Sequence, residues 1–489
     1  MKVSDMSEAP IQVRRLPLRL EPDARRTITR FFWPGRERAG RIMRRVKDLP
    51  PERTSELLDD ILRQFRPVNP GLEEILMNHA DQAIQQAGCP SEQAFETRML
   101  IGAYFSMEYA FESAALCNPS MVPAYDQSGL PDGALRFIMS LRAVGEGHLS
   151  SITFRRGTID ARDDIDIRPA SLQVRSFKAE ANRKFTKADF CENLQEALAR
   201  EPLIEAILSD LPDPFTSLAL EQKIERHGHT WKDKDAFARV ARHLRRTVDS
   251  EYEIRSLESS DVEDMVLFPL SEAESRGMED MRLVRLEEDD GTLRYCGTYT
   301  AYNGYDIVPQ LLEVASPHVA TVRVLRGKYA QNKGMALFPR KVEGQYAMIG
   351  RLDGENLFLL RSDALDRWED AVKIVQPAYD WEFVQIGNCG SPLLTDAGWL
   401  LLTHGVGPMR QYCMGAMLLD LEDPARVLGR LKGPLMSPVE EERSGYVPNV
   451  VYSCGALIHQ DRLVIPYGIS DAATGFATVS LDELLGRLY

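Results

Sequence analysis

Hydrophobic positions change their period along the chain. From Pro51 to Phe65 they fall at helical spacing (Leu57, Leu58, Ile61, Leu62, Phe65), behind a Pro51-Glu52 start that suits the first turn of a helix. Gly71 to Gln86 and Ser91 to Leu116 continue the pattern. Met107, Tyr109 and Phe111 make the last stretch apolar on more than one side, as expected of a buried helix. Residues 1–116 therefore read as a mostly helical leader. At Asn118-Pro119-Ser120 the character changes. Leu135 to Arg142 is a strand signal, Gly145-Glu146-Gly147-His148 turns it, and Ser150 to Arg155 is a second strand. Helical spacing returns between about Phe177 and Leu257. There Lys187 to Arg200, Leu203 to Leu211 and Lys232 to Val248 are rich in Ala, Leu, Glu and Arg, and their place between strand-rich segments marks a helical insertion.

From Val262 onward the pattern predicts short strands almost throughout. Turn signals punctuate them: Asp289-Asp290-Gly291, Asn303-Gly304, Glu343-Gly344, Asp353-Gly354 and Asp396-Ala397-Gly398. Apolar strand cores recur at Tyr346 to Ile349, Leu357 to Leu360 and Trp399 to Leu402. The fold class is mainly β, with strand-turn-strand units at near-regular spacing that suit a propeller or a large sandwich. Residues 117–489 form its body, with the insertion at about 177–257.

Length and charge narrow this reading. A chain of 489 residues is too long for one small core. Its 44% hydrophobic and 27% charged residues fit a soluble globular protein. A net charge of −14 argues against nucleic acid or an anionic membrane as partner, while leaving room for a local basic pocket. Seven scattered cysteines without a C-x-x-C pair read as free thiols in a reducing cytoplasm, with neither zinc nor a disulfide framework. The N-terminus has a basic arm (Arg14, Arg15, Arg19, Arg25, Arg26) and no apolar export signal. No metal site is expected: His227 and His229 lie in a charged helical stretch without further ligands.

The candidate chemistry sits at strand ends beside glycine. Gly277-Met278-Glu279-Asp280-Met281-Arg282 places carboxylates next to an arginine at the mouth of a strand, where burial is expected to raise a carboxyl pKa into the range of an acid catalyst. Asn332-Lys333-Gly334 to Lys341, Arg351, Gln385-Ile386-Gly387-Asn388-Cys389-Gly390-Ser391-Pro392, Thr403-His404-Gly405-Val406-Gly407 with Arg410 and Tyr412, and Pro466-Tyr467-Gly468-Ile469-Ser470-Asp471 complete the set. Lys333, Arg351, His404 and Arg410 would form a strongly basic cluster if they converged, and such groups suit phosphate.

These segments together resemble glycoside hydrolase family 130, the family of β-mannoside phosphorylases and β-mannosidases. The likeness runs from about Asn118 to the end, apart from the insertion. The helical leader and the run Asn118 to Pro123 are most similar to the β-1,2-mannobiose phosphorylases. The resemblance implies a five-bladed β-propeller with the site on its axis. It also implies Asp280 as proton donor, and Asn118, Ser120, Arg142, Glu146 and Asp471 as contacts of the nonreducing mannose, with Arg282 and Gln385 beside them. Lys333, Arg351 and His404 would bind phosphate, with Arg410 and Tyr412 as additions. Two departures stand out. Gln385 replaces a lysine common in the family, and Met281 replaces a proline.

An inverting hydrolase needs one carboxyl group to protonate the leaving oxygen and another to activate water. A phosphorylase needs the acid and a basic clamp, because phosphate is already an anionic nucleophile. The expectation is therefore reversible, inverting phosphorolysis of β-1,2-mannobiose to α-mannose 1-phosphate and mannose, with inorganic phosphate as co-substrate and no cofactor. The alternatives are a β-1,2-mannosidase, for which Glu382 is the candidate second carboxylate, and a non-catalytic carbohydrate-binding propeller. The leader and insertion are expected to serve packing or homo-oligomer contacts and to limit acceptor length, favouring a disaccharide.

Overall fold

The computed structural model describes residues 11–69, 71–89, 93–176, 178–179, 184–194, 202–249, 251–255, 261–316 and 318–488. It is mainly β. The ends of several expected segments (Ser91, Phe177, Arg200 and Leu257) lie outside the described residues.

Strands β1 (Val13–Leu20) and β2 (Thr27–Phe31) come first, followed by helices α1 (Arg36–Lys47), α2 (Pro51–Phe65), α3 (Leu72–Ala87) and α4 (Phe95–Tyr104). Pro51 takes the first position of α2, where its missing N–H costs nothing. Gly71 and Gly88 flank α3 in the left-handed conformation. The helices bury Ala39, Met43, Ala80, Leu100 and Phe105 against one another. Gly102 permits this, since a Cβ there would stand 1.8 Å from the Leu76 carbonyl oxygen.

The expected helix Ser91 to Leu116 is corrected. It stops at Tyr104, and β3 (Ser106–Ala110) pairs antiparallel with β2. Met107 and Tyr109 alternate with polar neighbours, which is a strand period, and Phe111 continues it just past the strand end. Two further strands were not foreseen in the leader. One is β2; the other is β1, which lies in the sheet of the last strands, paired with Ala473–Ser480.

Strands β4 (Ala115–Pro123), β5 (Leu135–Val144) and β6 (Ser150–Ile159) form an antiparallel run. A single parallel pair, Gly277 with Ser150, joins it to a second run: Gly277–Glu287, Leu293–Tyr302, Ile307–Ser316 and Val319–Val324. Two separate runs follow, one of four strands from Lys333–Leu337 to Asp370–Val375 and one of five from Gln385–Asn388 to Val427–Arg430. The last sheet holds Val451–Tyr452, Leu457–His459, Arg462–Ile469 and Ala473–Ser480, with β1 at its edge. The glycine-bearing turns named above fall between these strands, as their residue types predict.

Apolar cores lie between successive runs. Ile152, Met281 and Tyr299 belong to one, Leu286, Met335 and Trp368 to the next, then Ile349, Trp399 and Met417, then Leu402, Met414 and Ile465. Phe137, Val464 and Phe476 share a further core, so the last run packs against the first. The insertion contains helices Lys187–Asn193, Pro202–Ser209, Ser217–Thr230 and Lys234–Asp249, around a core of its own with Phe190, Ile207, Phe215, Leu220 and Leu244.

Candidate active site

The strands that supply the site are interrupted where they supply it. β4 slips register against β5 between Cys117 and Ser120, Gly277–Glu287 slips between Glu279 and Arg282, and Lys333–Leu337 slips between Lys333 and Ala336. A bulge bends the strand and re-aims its side chains. Asn118 (φ 50°) and Asp280 (φ 55°) are left-handed inside two of these bulges, a conformation that asparagine and aspartate tolerate better than most residues. In a regular strand Glu279 and Asp280 would face opposite sides. Here both reach Arg142: its Nη2 donates to Glu279 Oε1 at 2.8 Å, and its Nη1 lies 3.5 Å from Asp280 Oδ1.

The network extends to both sides of Asp280. Asn118 Nδ2 donates to Asp280 Oδ1, and Arg142 Nε donates to Ser150 Oγ at 2.9 Å. Arg282 donates to the Asp280 carbonyl at 3.0 Å and to the Tyr452 hydroxyl at 2.6 Å. Lys333 Nζ donates to Glu279 Oε2 at 2.7 Å, and Lys333 pairs in register with Arg351. Arg351 Nη1 is 3.4 Å from His404 Nε2. The His404 ring stacks on Tyr412 at 6.0 Å and meets the Tyr452 ring edge-on at 5.0 Å. Opposite His404 in the ladder stands Gly387, where a Cβ would lie 2.2 Å from the imidazole, so the ring's seat requires glycine.

Electrostatics revise two expectations. Burial pushes the Asp280 carboxyl up, but Arg142, Arg282, Lys333 and the Asn118 amide outweigh it and hold the group below its ordinary value. Asp280 is thus a carboxylate in the free protein, not the raised acid that its motif suggested. Burial, reinforced by Arg351 and Arg282, drives His404 well below its ordinary pKa. It is neutral at pH 7 and adds hydrogen bonding, not charge. The displaced acid is Asp471, pushed up to about 6 by burial, with Arg142 opposing and Asp280 and Glu279 adding.

The structure therefore brings together Asn118, Arg142, Asp280, Arg282, Lys333, Arg351, His404, Tyr412 and Asp471. Arg410 stands on an exposed turn (φ 54°) within electrostatic reach of Asp471. Ser120 is buried and its Oγ accepts the Leu283 N–H at 2.9 Å, a bond that ties β4 to the neighbouring strand. Gln385 opens its strand opposite Val406. Glu146 is exposed on the turn after β5, where its backbone carbonyl accepts the Tyr109 hydroxyl at 2.7 Å.

Sequence reasoning assigned no role to Glu279, Tyr452 or Asn388. Glu279 lies inside the motif beside Asp280, and Asn388 lies in a segment already singled out; Tyr452 carried no motif. Asn118 Oδ1, Arg282 Nε, Arg351 Nε and Asn388 Oδ1 are buried without a protein hydrogen-bond partner. Buried polar atoms in folded proteins are normally satisfied, so a cluster of this kind suits a polar ligand.

A family description, β-1,4-mannooligosaccharide phosphorylase of glycoside hydrolase family 130, matches residues 237–489. The chain belongs to glycoside hydrolase family 130. Asp280, Lys333, Arg351, His404, Tyr452 and Asp471 lie within the matched span of this family-130 chain, whereas Asn118 and Arg142 precede it. A 1,2-β-oligomannan phosphorylase of Thermoanaerobacter sp. (strain X514) is 34% identical over 221 residues, 44% of this chain and 72% of the relative. A β-1,2-mannobiose phosphorylase of Listeria innocua is 29% identical over 234 residues, 45% of this chain and 63% of the relative. The solved structure of a Listeria innocua β-1,2-mannobiose phosphorylase with β-1,2-mannobiose aligns over 77% of this chain and 92% of that one, at 19% identity and a TM-score of 0.44.

Glu382, the carboxylate considered for water activation, is fully buried in its own turn. Its Oε1 accepts the Ala378 N–H at 2.8 Å, the Tyr379 N–H at 3.1 Å and an Arg430 N–H. These bonds hold the side chain in its turn through Oε1, while Oε2 is buried without a protein partner.

Proposed function

We propose that this protein is an inverting β-mannoside phosphorylase, acting on β-1,2-mannobiose or a related short β-mannoside. The observation that carries the reading is the convergence of Asp280, with Glu279 and Asp471 near it, on the basic groups Lys333 and Arg351 and neutral His404, while Glu382 is held in its own turn. Relatives named 1,2-β-oligomannan and β-1,2-mannobiose phosphorylase support the linkage. In this reading Asn118, Arg142 and Asp471 hold the nonreducing mannose, with Arg282 setting the Asp280 backbone. Lys333, Arg351, His404 and Tyr412 hold phosphate, and Arg410 assists from the rim. A phosphate oxygen attacks the anomeric carbon as the glycosidic bond breaks on the opposite face. Asp280 delivers its proton to the departing oxygen, directly or through a sugar hydroxyl. The products are α-mannose 1-phosphate and a shortened sugar, and the reaction reverses.

Asp280 must first acquire that proton. Phosphate brings negative charge to Lys333 and Arg351, offsetting part of the field that keeps Asp280 ionised. Phosphate binding thus favours the protonated acid.

The five strand runs and the apolar cores between them, with the last core joining the final run to the first, support a five-bladed β-propeller. In that arrangement residues 117–489 are the catalytic body, closed by β1, and the helices of the leader pack outside it.

The test is incubation with β-1,2- and β-1,4-mannobiose, with and without inorganic phosphate, resolving mannose from mannose 1-phosphate. Phosphate-dependent mannose 1-phosphate is the expected product. Asp280→Asn should lower the rate by roughly 100-fold to 10,000-fold, the usual range for loss of a general acid. Equal mannose release without phosphate would make the enzyme a hydrolase.

A further inference from the structure

Glu279 is buried and binds two cations at once, one from each side of the site. Its Oε1 accepts from Arg142 at 2.8 Å and its Oε2 from Lys333 at 2.7 Å. Its side chain is only 12% exposed, so water screens neither contact well. Resting on the reading that Lys333 binds phosphate, we infer that Glu279 is a positioning residue that couples the sugar-side arginine to the phosphate-side lysine and sets the affinity for phosphate.

First, Glu279 owes its place to the bulge after it, because regular alternation would turn it away from Asp280. Second, it aims Lys333. A free lysine stem has four rotatable bonds, and a buried carboxylate removes that freedom before phosphate arrives. Third, it competes. An anion 2.7 Å from Lys333 neutralises the charge that phosphate would use, so the site holds phosphate less tightly than its cations alone would allow. That suits a reversible enzyme, which must also release its phosphorylated product.

The test measures inorganic phosphate binding by calorimetry, without sugar, on the wild-type protein, Glu279→Gln and Glu279→Asp, and then KM for each substrate. Glu279→Gln keeps an acceptor and removes the charge. It should bind phosphate about tenfold more tightly, while KM for the mannoside rises because Arg142 is held less firmly. Glu279→Asp keeps the charge but is too short to span both partners. It should raise both KM values without the gain in phosphate affinity, at a Tm close to wild type. Phosphate affinity unchanged or weakened in Glu279→Gln would overturn the inference. Should that variant not fold, unchanged KM values in Glu279→Asp would overturn it, and a rise in both would uphold it. Because the binding measurement needs no turnover, the two claims separate. Phosphate binding without mannoside cleavage sinks the phosphorylase reading and leaves Glu279 under test. Wild-type protein that binds no phosphate sinks the phosphate site itself.

Discussion

At the scale of the residue, carboxyl groups of one site are driven in opposite directions. Asp280 is held down by the cations around it, whereas Asp471 is pushed up to about 6 by burial. Two predictions follow from these directions. Phosphate binding should take up more protons near neutral pH in the wild-type protein than in Asp280→Asn, as Asp280 regains its acid form; calorimetry in buffers of different ionisation enthalpy reads the difference, and equal proton exchange in the two would show that phosphate does not load the acid. For Asp471 the sign is fixed by linkage. A carboxyl raised to about 6 binds its proton more tightly when folded, so its contribution to stability declines as pH climbs from about 4 to 6 and stays low above. Asp471→Asn should therefore stabilise the protein by up to about 3 kcal/mol at pH 8 and by less at pH 5, while activity drops. An equal change in stability at both pH values would show that Asp471 carries no such burden. None of this was legible from residue types. The motif announced an acid at Asp280, but the cations that depress it come from strands far away in sequence, including Arg142 and Lys333.

At the scale of the element, turns and apolar strand cores such as Tyr346 to Ile349 were well marked, whereas the strands of the leader, whose partners lie far off in the chain, were not. Turn residues act over a few positions, so Asp289-Asp290-Gly291 and Asn303-Gly304 fall between strands as read. Helix α2 spans Pro51–Phe65 because its start signal and its apolar spacing agree. β3 was misread as helix because its partner, β2, lies some 80 residues earlier, and short apolar runs are ambiguous without the partner. The bulges that build the site are likewise properties of a pair of strands. Gly387 tests one such pairing. Gly387→Ala would drive a methyl group into the His404 ring, and overpacking of this kind costs about 1–3 kcal/mol. KM for phosphate should rise several-fold with little effect on KM for the mannoside. A variant with normal phosphate KM would remove His404 from the phosphate site.

At the scale of the whole molecule, the leader is tied to the β body by buried charge. Arg26, just before β2, donates to Glu112 and Thr153, and Arg155 on β6 donates to the other oxygen of Glu112 at 2.7 Å. Arg26 is wholly buried and Arg155 nearly so, with Glu112 as their shared anion. Removing one member of a buried ion network leaves the others uncompensated, so Glu112→Gln should cost about 3–5 kcal/mol. Chemical denaturation followed by circular dichroism should show a lower midpoint, with the helical and β signals lost together. A change below about 1 kcal/mol would show that the leader is held elsewhere. β1 ties the leader to the last sheet at another point, pairing with Ala473–Ser480 and covering an edge that would otherwise stand open.

By itself the sequence determined which local conformations the chain prefers: turns at its glycines, amphipathic helices at 51–65 and 71–86, and short strands after residue 262. It also singled out the chemically capable residues, from Asn118 to Asp471, because their motifs are contiguous, although Asn118, Asp280 and His404 lie inside strands and not at strand ends as expected. Only the tertiary structure decided which of them meet. Strand register, the bulges at Asn118, Asp280 and Lys333, and the return of β1 to the last sheet all depend on partners distant in the chain. Charge followed the same rule. A side chain's protonation answers to the field and burial of its final surroundings, and those exist only once the strands have paired.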